Sequence, residues 1–468
     1  VALDDFIVGL DIGTTKVCTV VGHSDEQGRL SIDGVGIVPS RGVKKGVVVD
    51  VDETVGAIRS SVERAGNMAG VQVRSVIAGV TGEHISSTNV RSSATVLAED
   101  GTLTSADLRR VLHSAAMEVP RSREIIHIQP RDYIVDSHSG VRRPIGMSGR
   151  QLEVDTHVVT GAPGYLKNVI SCIERAGFEA QALVLEPIAT GEAVTTAQER
   201  EMGVALIDIG GGTSDIAIFA NDGIEYSAIL PVGGNLVTRD ISIGLRTPFE
   251  IAERLKIERG AASPRLLVNA QALEVQAAGS GERMQLSPAL LGEIIEARMM
   301  ELFEMSLDLI GHSRLRQSAP AGIILSGGGA LLPGAVEMAG QVFGMPVRLG
   351  IPTELDGWSK RVNAPQFATG VGLLRFINRQ EAISATPGAP RLEALIGDNP
   401  PRRIWSVPVG FTGSEVHEPE TEEAQDSATE EYDEYLEEHH HDAPGLPGQF
   451  MDFWRKMQVK IQRLIGLE

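Results

Sequence analysis

Apolar runs that break at glycine-containing turns recur along the chain. FIVGLDIGTTKVCTVVG (6–22) and VALIDIGGGTSDIAIFAND (204–222) share one pattern: an apolar run ending in Asp-Ile-Gly, a Gly/Thr turn, then a second apolar run. The pattern predicts strand, tight turn, strand. A third strand-like run follows each copy, LSIDGVGIV from Leu30 and IEYSAILPVGG from Ile224. Asp11 and Asp208 hold matching places, which implies two similar halves facing each other. In AGIILSGGGALLPG (321–334) an apolar strand ends at a third Gly-rich turn, with a helix expected from about Leu331.

Helical periodicity marks other stretches. Ser287-Pro288 reads as a helix start, after which Leu290, Leu291, Ile294, Ile295 and Leu302 form one stripe. In TPFEIAERLK, Thr247 can cap, Pro248 suits the first turn and Glu250 completes a capping box. Glu253 and Lys256, three apart, share a face of that helix. A polar insertion, 82–160, holds the amphipathic segment TSADLRRVLHSAAMEV and short strand-like runs, so a small α+β domain is expected there. The body is expected to end near Arg379. Residues 380–449, rich in Pro, Ala, Gly and acid, are expected to be disordered.

Composition narrows the class. The 468 residues suffice for several domains, and abundant Gly with few aromatics suits an α/β protein with many tight turns. Two cysteines, Cys18 and Cys172, exclude a disulfide framework and a cysteine zinc site, and fit a reducing cytoplasm. Neither a signal peptide nor a charge-free run long enough to span a bilayer is read. The net charge of −20 belongs to the tail: thirteen Asp or Glu lie between Glu415 and Asp442 with no Lys or Arg, and without them the charge is −7. No basic nucleic-acid footprint is present in the sequence, and none is expected to act.

The paired turns point to a phosphate clamp. A backbone approaches phosphate oxygens closely only where side chains are absent, which suits Gly210, Gly211 and Gly212. Thr14, Thr15, Thr213 and Ser214 supply hydroxyls, Gly13 opens the first turn, and Lys16 adds a cation. Asp11 and Asp208 cannot bond phosphate directly and are better placed to hold the waters of a Mg²⁺ ion. No GxxxxGK[ST] sequence occurs, which excludes a P-loop. One Asp-Ile-Gly turn alone would be an ordinary hairpin; two matched copies and a third glycine turn argue against that reading.

The set DIGTTK, DIGGGTSD and SGGG resembles the actin-like ATPase superfamily. The resemblance implies an α/β fold in which two ribonuclease-H-like halves close around ATP. It implies that both hairpins clamp the phosphates and that Gly327, Gly328 and Gly329 lie against the adenosine. Gly233, Gly234 and Asn235 would form a turn beneath the nucleotide, and Glu253 and Lys256 would bracket ribose and adenine; the alternative for that pair is a surface ion pair. VLEPIATGEAV (184–194) looks like the helix crossing between the halves. Glu186 there matches a position that orients the attacking water, or else is a helix-start acid beside Pro187, favourable with the dipole.

The pieces TGEHISS, QPRDYIVD and GEIIEARMMELF, with the tail, are similar to the FtsA family of bacterial cell-division proteins. That family implies a membrane tether for the tubulin-like protein FtsZ on the cytoplasmic face of the inner membrane at the division site. It also implies self-assembly into filaments and recruitment of later division proteins. The expected domains are 1–81 with 161–200 as the first half and 82–160 as the insert. Residues 201–234 with 311–379 form the second half, 235–310 a subdomain receiving the FtsZ C-terminal peptide, 380–449 a linker and 450–468 a terminal helix. Arg298 in the subdomain is a candidate partner for the acidic peptide, or else a solvated arginine on a core helix. ATP turnover is expected to be slow at most. An actin-like small-molecule kinase and a pilus-assembly adaptor are the alternatives.

On a helical wheel, Phe450, Phe453, Trp454, Met457, Ile461, Leu464 and Ile465 share one face, and Arg455, Lys456, Lys460 and Arg463 the other. Val459 and Leu467 interrupt the pattern. Three fates compete: docking on the body, pairing with a partner helix, or lying in a membrane interface. A linker of this length would have an r.m.s. reach of about 45 Å, which is loose for a helix meant for its own core. Cations gain about 1 kcal/mol each near anionic lipid, and the apolar face adds more. An anionic membrane is the expected surface. The histidines at 417 and 439–441 are expected to bind nothing specific.

Overall fold

In this computed structural model the described residues are 6–25, 29–276 and 283–385, with side chains described to 379. The linker beyond 385 and the terminal helix with its lipid-facing residues lie outside them. The body does not stop near Arg379: its last helix runs Ala368–Ala385.

The first half opens with β1 (Phe6–Ile12), β2 (Lys16–Ser24) and β3 (Leu30–Pro39). Helix α1 (Val51–Ala69) follows, started by Asp50, whose carboxylate accepts from Glu53 N, and ended by Gly70 in the left-handed region. Then come β4 (Ser75–Val80), the insertion, α3 (Pro163–Arg175), β9 (Glu179–Leu185) and α4 (Glu186–Val194). The insertion comprises β5 (Ser86–Thr95), α2 (Ser105–Met117), β6 (Glu124–Val135), β7 (His138–Val141) and β8 (Gln151–Gly161). The second half contains β10 (Val204–Ile209), β11 (Ser214–Ala220), β12 (Gly223–Leu230), β13 (Ile323–Ser326) and β14 (Val347–Leu349).

The two main sheets repeat one topology. In the first, β2 lies antiparallel between β1 and β3, and β1 continues through parallel β4 to β9; a two-residue strand, Asp356–Gly357, extends the β3 edge. In the second, β11 lies antiparallel between β10 and β12, and β10 continues through parallel β13 to β14. The central strands are buried almost throughout, as strands covered on both faces must be. Each half has its own apolar core, and the insertion has a third, built from Leu108, Val111, Leu112, Ile128, Leu152 and Val158.

Two helices cross where the halves meet. On α4 and α9 (Ala368–Ala385) the backbones touch: a Cβ on Gly372 would lie 1.8 Å from Ala189 O. Between β12 and β13 sits the subdomain of α5 (Gly234–Gly244), α6 (Phe249–Arg259) and α7 (Pro288–Ile310). Ser287 starts α7, its hydroxyl accepting from Ala289 N. Leu291, Ile294, Ile295 and Leu302 are buried and Leu290 half-buried, so the stripe is core. Two local expectations are corrected. Pro248, not Thr247, occupies the N-cap of α6 and no side chain caps it, because α6 begins only at Phe249. After Gly327–Gly329 the chain makes a short 3-10 turn and passes Pro333, so helix α8 (Ala335–Phe343) starts later than Leu331.

Candidate functional site

The turn after β1 and the turn after β10 meet tip to tip. A Cβ on Gly211 would lie 2.4 Å from Thr15 Cγ2, and one on Gly212 2.5 Å from Thr14 Oγ1 and 2.9 Å from Lys45 Cα. Only hydrogen fits at those two positions. Beside the tips opens a cavity of about 310 Å³. Asp11, Gly13 to Lys16 and Glu186 line it from the first half, and Asp208, Gly210 to Thr213 and Asp215 from the second. Gly234, Asn235, Glu253 and Lys256 close one side, Gly327 to Gly329 another. The third glycine turn is tight against the second hairpin: Gly327 has φ +78°, and a Cβ there would meet Asp208 Oδ1 at 2.3 Å.

Two residues fall elsewhere. Ser214 does not face the cavity; its hydroxyl is buried and donates to Val232 O at 2.7 Å. Side chains alternate along a strand, so Asp215 takes the cavity side in its place. Gly233 sits behind the Gly210–Gly212 turn, where a Cβ would meet Gly210 O and Gly211 O at 2.8 Å each. Next to it, Gly234 N and Asn235 N donate to those same carbonyls at 2.9 and 2.8 Å.

The charges are unevenly arranged. Lys16 Nζ donates to Asp11 Oδ2 at 2.9 Å. Burial opposes its charge, but the Asp11 carboxylate overrides this and holds the ammonium above the ordinary lysine range. Asp208 instead accepts from Thr190 at 2.7 Å and Thr369 at 3.4 Å, hydroxyls carried by α4 and α9. Burial pushes its pKa up to about 6 against those hydrogen bonds. Glu186 and Asp215 form a buried acid pair, and Thr81 donates to Asp215 Oδ1 at 2.6 Å. Burial first, then neighbouring carboxylates, raise both, with the Thr81 hydrogen bond opposing at Asp215. Gly79 makes the room: a Cβ there would lie 3.0 Å from Glu186 Cγ.

Glu253 and Lys256 form an ion pair at 2.7 Å, but in the cavity wall and not on open surface. Lys256 also donates to Thr238 Oγ1 at 2.7 Å and Gly234 O at 3.0 Å. Burial lowers its pKa while Glu253 opposes. Arg298, half-buried on α7, donates to Asp240 at 2.6 Å and to Glu301.

The donor set fits a nucleoside triphosphate with its cation. Glycine turns offer backbone N–H groups at close approach, Lys16 a positive charge, and Asp11 and Asp208 carboxylates for ion-bound water. Among the described residues no group of three or more His, Cys, Asp or Glu could hold a metal directly.

Comparisons with known proteins agree on the architecture. A family model described as "Cell division protein FtsA" matches residues 205–372, and one described as "SHS2 domain inserted in FTSA" matches 82–160. The chain is similar to Cell division protein FtsA of Pseudomonas aeruginosa, at 40% identity over 402 residues, covering 83% of this chain and 96% of that protein. Its similarity to the Neisseria meningitidis protein of that name is 42% over 371 residues, 79% of this chain and 89% of the other. The solved "PilM-PilN type IV pilus biogenesis complex" shares the fold, with TM-score 0.57 at 16% identity, covering 80% of this chain and 98% of that one.

Proposed function

Because the chain belongs to the FtsA family of cell-division proteins, with an actin-like α/β fold and an inserted SHS2 domain, we propose that it is an ATP-binding, self-assembling adaptor that tethers the FtsZ ring to the cytoplasmic membrane. The observation that carries the reading is the convergence of two matched hairpins and a third glycine turn on one cavity. Backbone N–H groups of Gly211 and Gly212 would face the phosphates, with Thr14, Thr15 and Thr213 beside them, while Gly13 N and Gly210 N close their own turns on Lys16 O and Thr213 O. Gly327 to Gly329, Glu253 and Lys256 would take the adenosine end. Mg²⁺, held through water by Asp11 and Asp208, would neutralise phosphate charge. Lys16 would turn from Asp11 toward a phosphate oxygen.

Glu186 would position water with Asp215. ATP turnover would be slow at most. ATP would hold the two hairpin tips together and favour filaments. The subdomain 235–310 would receive the FtsZ C-terminal peptide, with Arg298 the candidate contact for its acidic residues, the insert would recruit later division proteins, and residues 450–468 would lie in anionic lipid. Many tails along one filament would give avidity that a single helix lacks.

Co-sedimentation with vesicles containing anionic lipid tests the tether. The full chain should pellet with vesicles, more strongly with ATP, and removal of 450–468 or the pair Phe453→Glu and Trp454→Glu should leave it in the supernatant. Pelleting that survived those changes would contradict the anchor.

A further inference from the structure

The inserted domain grows out of the first half, yet its β5 lies along the free edge of the second half's sheet. Strand β12 is outermost there, so one row of its backbone groups has no strand partner. Two β12 carbonyls, that of Ser227 and that of Glu225, the extra residue of a bulge against β11, are taken up by β5 side chains that are two residues apart. Ser87 Oγ donates to Ser227 O at 2.6 Å, and Asn89 Nδ2 donates to Glu225 O at 3.2 Å.

His157 on β8 completes the seam. Its Nδ1 lies 2.7 Å from Asn89 Oδ1 and its Nε2 2.8 Å from Ser227 Oγ. The amide nitrogen of Asn89 already faces Glu225, so its oxygen accepts from His157 Nδ1–H, and Nε2 accepts from the Ser227 hydroxyl. Both ring nitrogens of His157 are then satisfied in one assignment. Arg131 adds an ion pair to Glu225 at 3.1 Å. Burial, with Arg131 nearby, pushes the His157 pKa down to about 3, which keeps the ring neutral.

Both ends of this seam run into the cleft within a few residues. On one side β12 ends at Leu230, and the next turn carries Val232, which accepts from Ser214, and Gly234, which closes on Gly210. On the other, Thr81 at the root of the insert donates to Asp215 Oδ1. The insert thus bridges the halves by a route separate from the α4–α9 crossing. Rotating the halves apart must stretch the seam, and a pull on the insert reaches the phosphate-facing turn.

We propose that the inserted domain is a latch on the nucleotide cleft: the seam of Ser87, Asn89 and His157 on β12 slows nucleotide release, and a protein that draws the insert off β12 speeds it. The latch rests on reading the cleft as a nucleotide site. Coupling is reciprocal, so bound nucleotide holds the insert down in turn.

The test is release of a fluorescent ATP analogue from the full chain by stopped flow. Ser87→Ala with Asn89→Ala should release it about tenfold faster, within the usual range of coupling between sites. Arg131→Cys with Glu225→Cys, joined by a short bismaleimide, should release it more slowly than the same protein before linking. Cys18 and Cys172 are buried, so the linker reports on the added pair. Because each linked sample is its own control, misfolding of the alanine variant cannot mimic the result. Equal release rates linked and unlinked would overturn the latch alone. A parent chain that bound no analogue would overturn the cleft reading, and the latch with it.

Discussion

The two hairpins that face each other share a backbone and differ in chemistry. After β1 the turn is Thr14-Thr15-Lys16, and its aspartate is tied to a cation of the same hairpin, Lys16. After β10 the turn is Gly210-Gly211-Gly212, and its aspartate is tied to hydroxyls from the two crossing helices. The first hairpin brings positive charge and bulk; the second brings bare backbone and the buried carboxyl of Asp215. A duplicated topology therefore builds an asymmetric site, with a cation on one side and a bare-backbone cradle on the other.

The most damaging way to break this division is to give the cradle bulk. Gly212→Val places methyl groups against the Lys45 backbone, which cannot swing aside. Overpacking of this kind costs about 1–3 kcal/mol, so ATP affinity should fall up to roughly 100-fold, read by fluorescent-nucleotide titration. Unchanged affinity would mean the tips need not meet. Removing the cation comes next: Lys16→Ala should weaken ATP binding by about 1.5–2 kcal/mol, tenfold to thirtyfold. If Lys16→Ala bound ATP as tightly as the parent, the ammonium does not reach phosphate. The smallest effect runs the other way. Asp215→Asn keeps the acceptor for Thr81 and removes a carboxyl from a crowded acidic site. The empty protein should gain stability on the order of 1 kcal/mol, while any ATP turnover falls. A lower melting temperature for this variant would show that the acids are not strained against each other.

Much of this arrangement is legible in the sequence because it is local. Strand, Gly/Thr turn and strand are written within twenty residues, twice, and the structure repeats the topology strand for strand. What was not legible depends on distant partners. Arg298 meets Asp240, 58 residues away, and no local pattern announces that pairing. Asp215 was overlooked although the signal was present: in Thr213-Ser214-Asp215 the outer two residues share a strand face, so the acid and not the serine belongs beside the threonine. Glu186 owes its place to Gly79 on another strand, a vacancy that a single sequence does not reveal. The cap at Pro248 and the late start of α8 are errors at element ends, where proline decides the boundary and apolar periodicity does not.

A crystal structure of the full chain with Mg²⁺ and a non-hydrolysable ATP analogue tests the central claim most directly. The phosphates should sit within hydrogen-bond distance of backbone N–H groups from both hairpins, with Lys16 turned from Asp11 to a phosphate oxygen. Phosphates held by one hairpin alone, or bound outside the cavity they share, would contradict it.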